Sequence, residues 1–271
     1  MASAFAGCVE RSTVSHMTPD PAAVPETLDG WFALHDLRRL DRAGWRQLPK
    51  AERESAVVEA SVLLASFERV DDTPVGRSVT YSVVGHKADL MMLHLRPEVD
   101  QLHELERAFD NTTLGSYTSR TYSYLSVTEV SRHGSPEGAV ENIEASPHVQ
   151  ARLYPEIPAQ SAYVCFYPMS KKREGSDNWY ILSGSERGDL MRAHGRTGRR
   201  YAGRVSQIVT GSMGLDDWEW GVTLFSDEPL EFKKLVYEMR FDEVSARFAD
   251  FGPFFIGCRL MPDRVGRCLG E

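Results

Sequence analysis

Read for hydrophobic periodicity, the chain passes twice through one order of elements, β-α-β-β-α-β, and that order limits what it can fold into. The first pass takes strand 30–39, helix 49–70 (with Val57, Val58, Leu63 and Leu64 near helical spacing), strands 76–85 and 88–96, helix 97–111 and strand 119–131. The second takes strand 161–169, helix 185–202, strands 204–212 and 218–226 around the turn "MGLDD", one long helix over 228–248 and a last strand over 251–260. A split βαβ unit makes an antiparallel sheet with both helices on one face, so its bare face must be buried elsewhere. Two tandem copies bury it by closing their sheets against each other, which predicts an α+β barrel within one subunit.

The expected organisation is an N-terminal extension over 1–27, a first repeat over 28–131, a Pro- and Glu-rich connection over 132–160 and a second repeat over 161–271. With 271 residues, 42% of them hydrophobic, a core forms without staples. Cys8, Cys165, Cys258 and Cys268 make no CxxC and no zinc-like cluster, and a reducing cytoplasm suits them. A formal net charge of −8 argues against nucleic acid as a partner while leaving room for a local basic pocket. No apolar run approaches the ~18 residues of a membrane span. "MASAFAGCVE" lacks the apolar middle of a secretion signal, and Met17 offers an alternative start.

Chemistry-bearing residues concentrate in "CFYPMSKKREGSDNWY" (165–180). A strand puts Tyr163, Cys165, Tyr167, Met169 and Lys171 on one side, with Val164 and Phe166 on the other, and the Val/Phe side suits the covering helices. Pro168 donates no backbone hydrogen bond, which predicts an edge or a strand end. By spacing alone, the commoner reading of Tyr167 is a core tyrosine and of Lys171 a solvated charge. On the following helix Leu190, His194 and Tyr201 share a stripe, where a lone histidine is usually a satisfied core residue. Gly195 and Gly198 remove bulk beside it, and Arg196, Arg199 and Arg200 bring cations, an arrangement that would suit an anionic planar cofactor with His194 as axial ligand. The other seven histidines form no HExxH and no facial triad.

"CFYPMSKKR", "NWY", "LMRAHGRTGRRYAG", "GSMGLDDWEWGVTLFSDEPLEFKKLVYEMRFDEVSARF" and "FGPFF" together resemble the coproheme decarboxylases, the haem-synthase branch of the chlorite dismutase superfamily. The resemblance is dense over 152–257 and weaker over 29–131. It implies two ferredoxin-like repeats per subunit and a homopentamer in the cytoplasm, with transient contact to coproporphyrin ferrochelatase. The implied reaction takes iron coproporphyrin III to haem b through a three-propionate intermediate, with hydrogen peroxide as oxidant. Carried over, Tyr167 is the radical tyrosine, Lys171 the lysine beside the reacting propionates, His194 the proximal iron ligand and Gln207 the distal glutamine. Arg152, Arg240 and Ser245 contact propionates, Met169 and Trp179 shape the pocket, and His148 is either a distal base for peroxide or a solvated loop histidine. Chlorite dismutation depends instead on a distal arginine where Gln207 stands. A haem carrier would need His194 but no radical tyrosine, and a cofactor-free barrel would leave both residues as core.

Overall fold

The computed structural model describes residues 24–131, 143–158 and 160–271. Most of the expected extension, with Cys8, His16 and Met17, lies outside the described residues, as does the 132–142 part of the connection with His133.

The first half runs β1 (Thr27–Leu40), α1 (Arg42–Gln47), α2 (Lys50–Arg69), β2 (Arg77–Val84), β3 (Leu90–Arg96), α3 (Val99–Asp110), α4 (Thr113–Ser116) and β4 (Thr118–Ser131). After α5 (Pro147–Leu153) the second half runs β5 (Tyr163–Lys171), the small ribbon β6 (Arg173–Glu174) and β7 (Asp177–Asn178), then α6 (Gly184–Arg199), β8 (Ser206–Gly211) and β9 (Trp220–Ser226). It ends with α7 (Pro229–Met239), α8 (Glu243–Phe248), β10 (Ala249–Phe251), β11 (Phe255–Arg259) and α9 (Val265–Leu269).

The main sheet has the order β10-β5-β11-β2-β3-β1-β4-β8-β9, and a further pairing of β5 with β9 closes it into a barrel, with the short β10 alongside β5. Within each half the first strand sits between the third and the last, the antiparallel order of a split βαβ unit. The halves are joined by β4–β8 and β11–β2. Closure leaves the eight barrel strands without a free edge.

Side chains sort into an inner and two outer layers. Inside the barrel, Ala33, Leu37, Tyr81, Leu93 and Leu95 of the first half meet Val164, Phe166, Ile208, Phe225 and Phe255 of the second. Outside the first half, Ala56, Ala60, Leu64 and Phe67 of α2 and Leu105 and Phe109 of α3 cover Leu90 and Met92. Because β3 is covered on both faces, all seven of its residues are buried and it shows no alternation. Outside the second half, Phe232 and Leu235 of α7 cover Cys165, Tyr167, Val222 and Leu224.

Several expectations are corrected. It is the Tyr167 side of β5 that faces the helices, while Val164 and Phe166 point into the barrel. Pro168 lies inside a central strand, paired with Gly221 of β9. It is tolerated because the strand on its other side breaks between β10 and β11, where the Gly252 amide donates to the Pro168 carbonyl at 2.9 Å. The long helix expected over 228–248 is two, broken at Arg240–Asp242, where Asp242 caps α8 by accepting from the Val244 amide at 2.8 Å. Val58 is 62% exposed, since the buried stripe of α2 runs through its alanines.

Candidate active site

The site is built from β5 upward. Tyr167 pairs with Val222 and Met169 with Trp220 on β9, and Gln207 and Val209 of β8 pair with Leu224 and Val222. Since paired residues share a face, Gln207, Met169 and Tyr167 lie on one side of the sheet. α6 packs against α7 and α8 and starts with a capping box in which the Ser183 hydroxyl accepts from the Glu186 amide and the Glu186 carboxylate accepts from the Ser183 amide at 2.8 Å. Gly198 lets α6 approach α7, for a Cβ there would come 3.3 Å from the Met239 Cε. The small residue therefore serves helix packing; Gly195 meets only the Arg199 guanidinium.

His194 Nδ1 is 2.6 Å from the Oδ2 of Asp242. A carboxylate only accepts, so Nδ1 carries the proton and Nε2 of the neutral ring keeps its lone pair for another partner. Asp242 is fixed in turn, because its Oδ1 accepts the Val244 amide at the start of α8. The break between α7 and α8 is what brings this carboxylate to α6.

Tyr167 is buried, stacked on Phe254 with centroids 4.5 Å apart and tilted against Phe251 at 5.8 Å. Its hydroxyl has no hydrogen-bond partner among the described residues. Burial pushes its pKa up, the neighbouring Cys165 thiol adds to this and Arg240 opposes it, so the phenol stays protonated. The Arg240 guanidinium lies 3.7 Å over the Phe251 ring. Lys171, half-buried, holds its Nζ 4.5 Å from the Trp179 ring centroid. Burial pulls its pKa down to about 8, against the opposing pull of Asp242 and Glu219.

The other expected residues divide. Trp179 is buried against Phe248, and Ser245 is buried on α8. Gln207 and Arg240 are exposed. His148 and Arg152 sit on α5, exposed, with no contact to Tyr167, Lys171 or His194 among the described residues. Arg152 acts electrostatically on Glu129, whose carboxylate accepts from the Trp220 indole at 3.3 Å, so it stands at the far rim of the same face. His35 and His94 are buried and pulled to about 3 by burial, hence neutral core residues. Among the described residues no cluster of three or more His, Cys, Asp or Glu side chains could hold a metal ion.

Sequence reasoning missed Asp242, Phe251 and Phe254 as site residues. "RFDEV" does carry a helix N-cap signal for Asp242, hidden within an apparently continuous helix. What results is a largely apolar face with four polar groups that make no hydrogen bond or ion pair among the described residues: the Lys171 ammonium, the Arg240 guanidinium, the Tyr167 hydroxyl and Nε2 of His194. These fit a flat apolar ring that carries carboxylates and a metal, since each unpaired group would then gain a partner.

A closed α+β barrel with a carboxylate-held histidine on a helix packed beside it is the class of protein that fold and site define. The family model described as Chlorite dismutase matches residues 53–260, and the chain belongs to the chlorite dismutase family. It is 50% identical over 250 residues to a coproheme decarboxylase of Thermus thermophilus, covering 91% of this chain and 98% of that relative. A solved haem-binding protein from the same organism superimposes with a TM-score of 0.86 at 48% identity, covering 92% of this chain and 98% of the other. A chlorite dismutase variant from Candidatus Nitrospira defluvii superimposes at 0.72 with 20% identity, over 90% and 96% of the two chains, which shows the fold alone.

Proposed function

We propose that the chain is a coproheme decarboxylase, an enzyme that converts two propionates of iron coproporphyrin III into the vinyl groups of haem b with hydrogen peroxide. Each step balances as one propionic acid side chain and one peroxide giving one vinyl group, one carbon dioxide and two waters. The carrying observation is that Tyr167 and Lys171 share one strand face, with no hydrogen bond from either side-chain polar group among the described residues, together with a histidine whose Nδ1 is engaged by Asp242. The 50% identity with the Thermus enzyme over 250 residues supports the same reading.

Held through Nε2 of His194, the substrate iron would supply the oxidising chemistry with peroxide. The protein residues do the rest. Tyr167, kept protonated by burial, gives up its phenolic hydrogen and then takes one from the propionate β-carbon. The Lys171 ammonium holds the reacting carboxylate, and its lowered pKa permits it to pass a proton near neutral pH. Arg240, Ser245 and Arg152 bind the remaining carboxylates, Gln207 lies on the distal side, and Met169 and Trp179 wall the ring. The second half, 161–271, carries this pocket, and the subunits assemble as a homopentamer. His148 serves as a base for peroxide only if α5 approaches the ring when the substrate binds. The enzyme works in the cytoplasm, with a transient contact to coproporphyrin ferrochelatase. No helix among the described residues is long and apolar enough to cross a membrane.

The test is mass spectrometry of the protein mixed with iron coproporphyrin III and peroxide. Successive losses of carbon dioxide plus two hydrogens, once and then twice, are expected. An unchanged four-propionate porphyrin overturns the reading, and sustained oxygen release from chlorite by the haem-loaded protein favours the dismutase reading that Gln207 argues against.

A further inference from the structure

Strand β9 stops covering β5 at the pair Met169–Trp220, two residues short of Lys171. On the other side β10 continues, pairing Ala249 with Lys171, and the Lys172 amide donates to the Phe248 carbonyl at 2.9 Å. The amide of Lys171 therefore points to the side where the ladder has ended. In an ordinary strand end it would go to water, yet this segment is half-buried. Glu219 takes the place of the missing strand. Its Oε2 accepts the Lys171 amide at 2.6 Å and its own amide donates to the Met169 carbonyl at 3.1 Å. Its carbonyl accepts from the Ser212 amide at 2.9 Å. One residue thus ties the end of the β5 face to the turn that follows β8, the strand bearing Gln207.

A carboxylate is a costly choice for this task. The Glu219 side chain is 11% exposed, and its ion-pair partner among the described residues is Arg173, 3.8 Å away and itself 69% exposed. A neutral acceptor would satisfy the amide equally well. The charge does favour the Lys171 ammonium, as does that of Asp242 at the α7–α8 corner, the carboxylate that holds His194. On its outer side Glu219 lines a cavity of about 430 Å³ together with Arg173, Asn178, Tyr180, Asp216 and Trp218, so it separates solvent from the Lys171 strand end.

From this geometry we infer that Glu219 is a positioning residue for Lys171, holding the strand end through the amide and keeping the side chain cationic through its charge. The inference rests on the proposed role of Lys171 for its catalytic meaning, but its test does not. In the full-length, ligand-free protein labelled with ¹³C-lysine, NMR reads the Lys171 titration, assigned with Lys171→Arg, and hydrogen exchange reads the Lys171 amide. Glu219→Gln keeps an acceptor and loses the charge: the amide stays protected while the neutral fraction of Lys171 at pH 7 rises about threefold, as expected for loss of one nearby opposite charge. Glu219→Ala loses both, so the amide also exchanges at least tenfold faster. A Lys171 titration unchanged in both variants, or an amide equally protected in Glu219→Ala, overturns the inference. If wild-type protein fails to decarboxylate iron coproporphyrin III while these shifts appear, the functional reading falls and the positioning role stands.

Discussion

The Oδ2 of Asp242, the cap of α8, lies 2.6 Å from the Nδ1 of His194 on α6, although the two residues are 48 positions apart in sequence. The contact sets the ring tautomer and makes Nε2 the more basic nitrogen. Asp242→Asn should leave the fold intact, because an amide oxygen still caps α8, but should weaken electron donation by the ring. With iron porphyrin bound, the ferrous iron–histidine vibration in resonance Raman should move to lower frequency in Asp242→Asn and vanish in His194→Ala. An unchanged vibration in His194→Ala would assign the ligand to another histidine.

Lys171 gives a pH prediction with a definite sign. Its pKa falls from 10.5 to about 8 because burial disfavours the ammonium. Between those values the unfolded chain holds more protons than the folded one, so this group's contribution to stability rises with pH through that window. Lys171→Met, which keeps the stem and removes the charge, should therefore raise Tm at pH 7, and its advantage over the wild type should shrink towards pH 10.5. A Tm lowered at pH 7 would show that the ammonium is well satisfied without a bound carboxylate.

Gly30 tests how α5 is held. A Cβ at Gly30 would overlap the Leu153 carbonyl, the same oxygen that accepts from the Thr128 hydroxyl at 2.6 Å. Gly30→Ala should cost about 3 kcal/mol, at the upper end for overpacking a closed site. Because α5 carries His148 and Arg152, the substitution should also weaken porphyrin binding without altering the iron–histidine vibration. Denaturation with urea and a porphyrin titration check both halves.

The barrel was legible in the sequence because helix and strand periods alternate in an order that leaves one sheet face bare, and closure is the simplest way to bury it. Which face of β5 turns inward was not legible. Both sides of that strand are buried, so apolarity does not distinguish the barrel interior around Phe166 from the helix-covered side around Tyr167. The break at Arg240–Asp242 was hidden because no Gly or Pro marks it; the helix ends when Asp242 turns to cap the next one. Glu219 was invisible for a similar reason, since its task is to replace a strand that stops two residues early. The residues of β5 itself could be found because strand spacing alone gathers them.

The most direct test is product analysis of Tyr167→Phe. The hydroxyl has no partner among the described residues, so its loss should cost no more than about 1 kcal/mol of stability, and the ring contacts with Phe251 and Phe254 persist. The variant should fold and bind iron coproporphyrin III as the wild type does. After addition of peroxide, mass spectrometry should find neither the three-propionate intermediate nor haem b. Formation of haem b at a rate near that of the wild type would contradict the account and return Tyr167 to the role of a core aromatic residue.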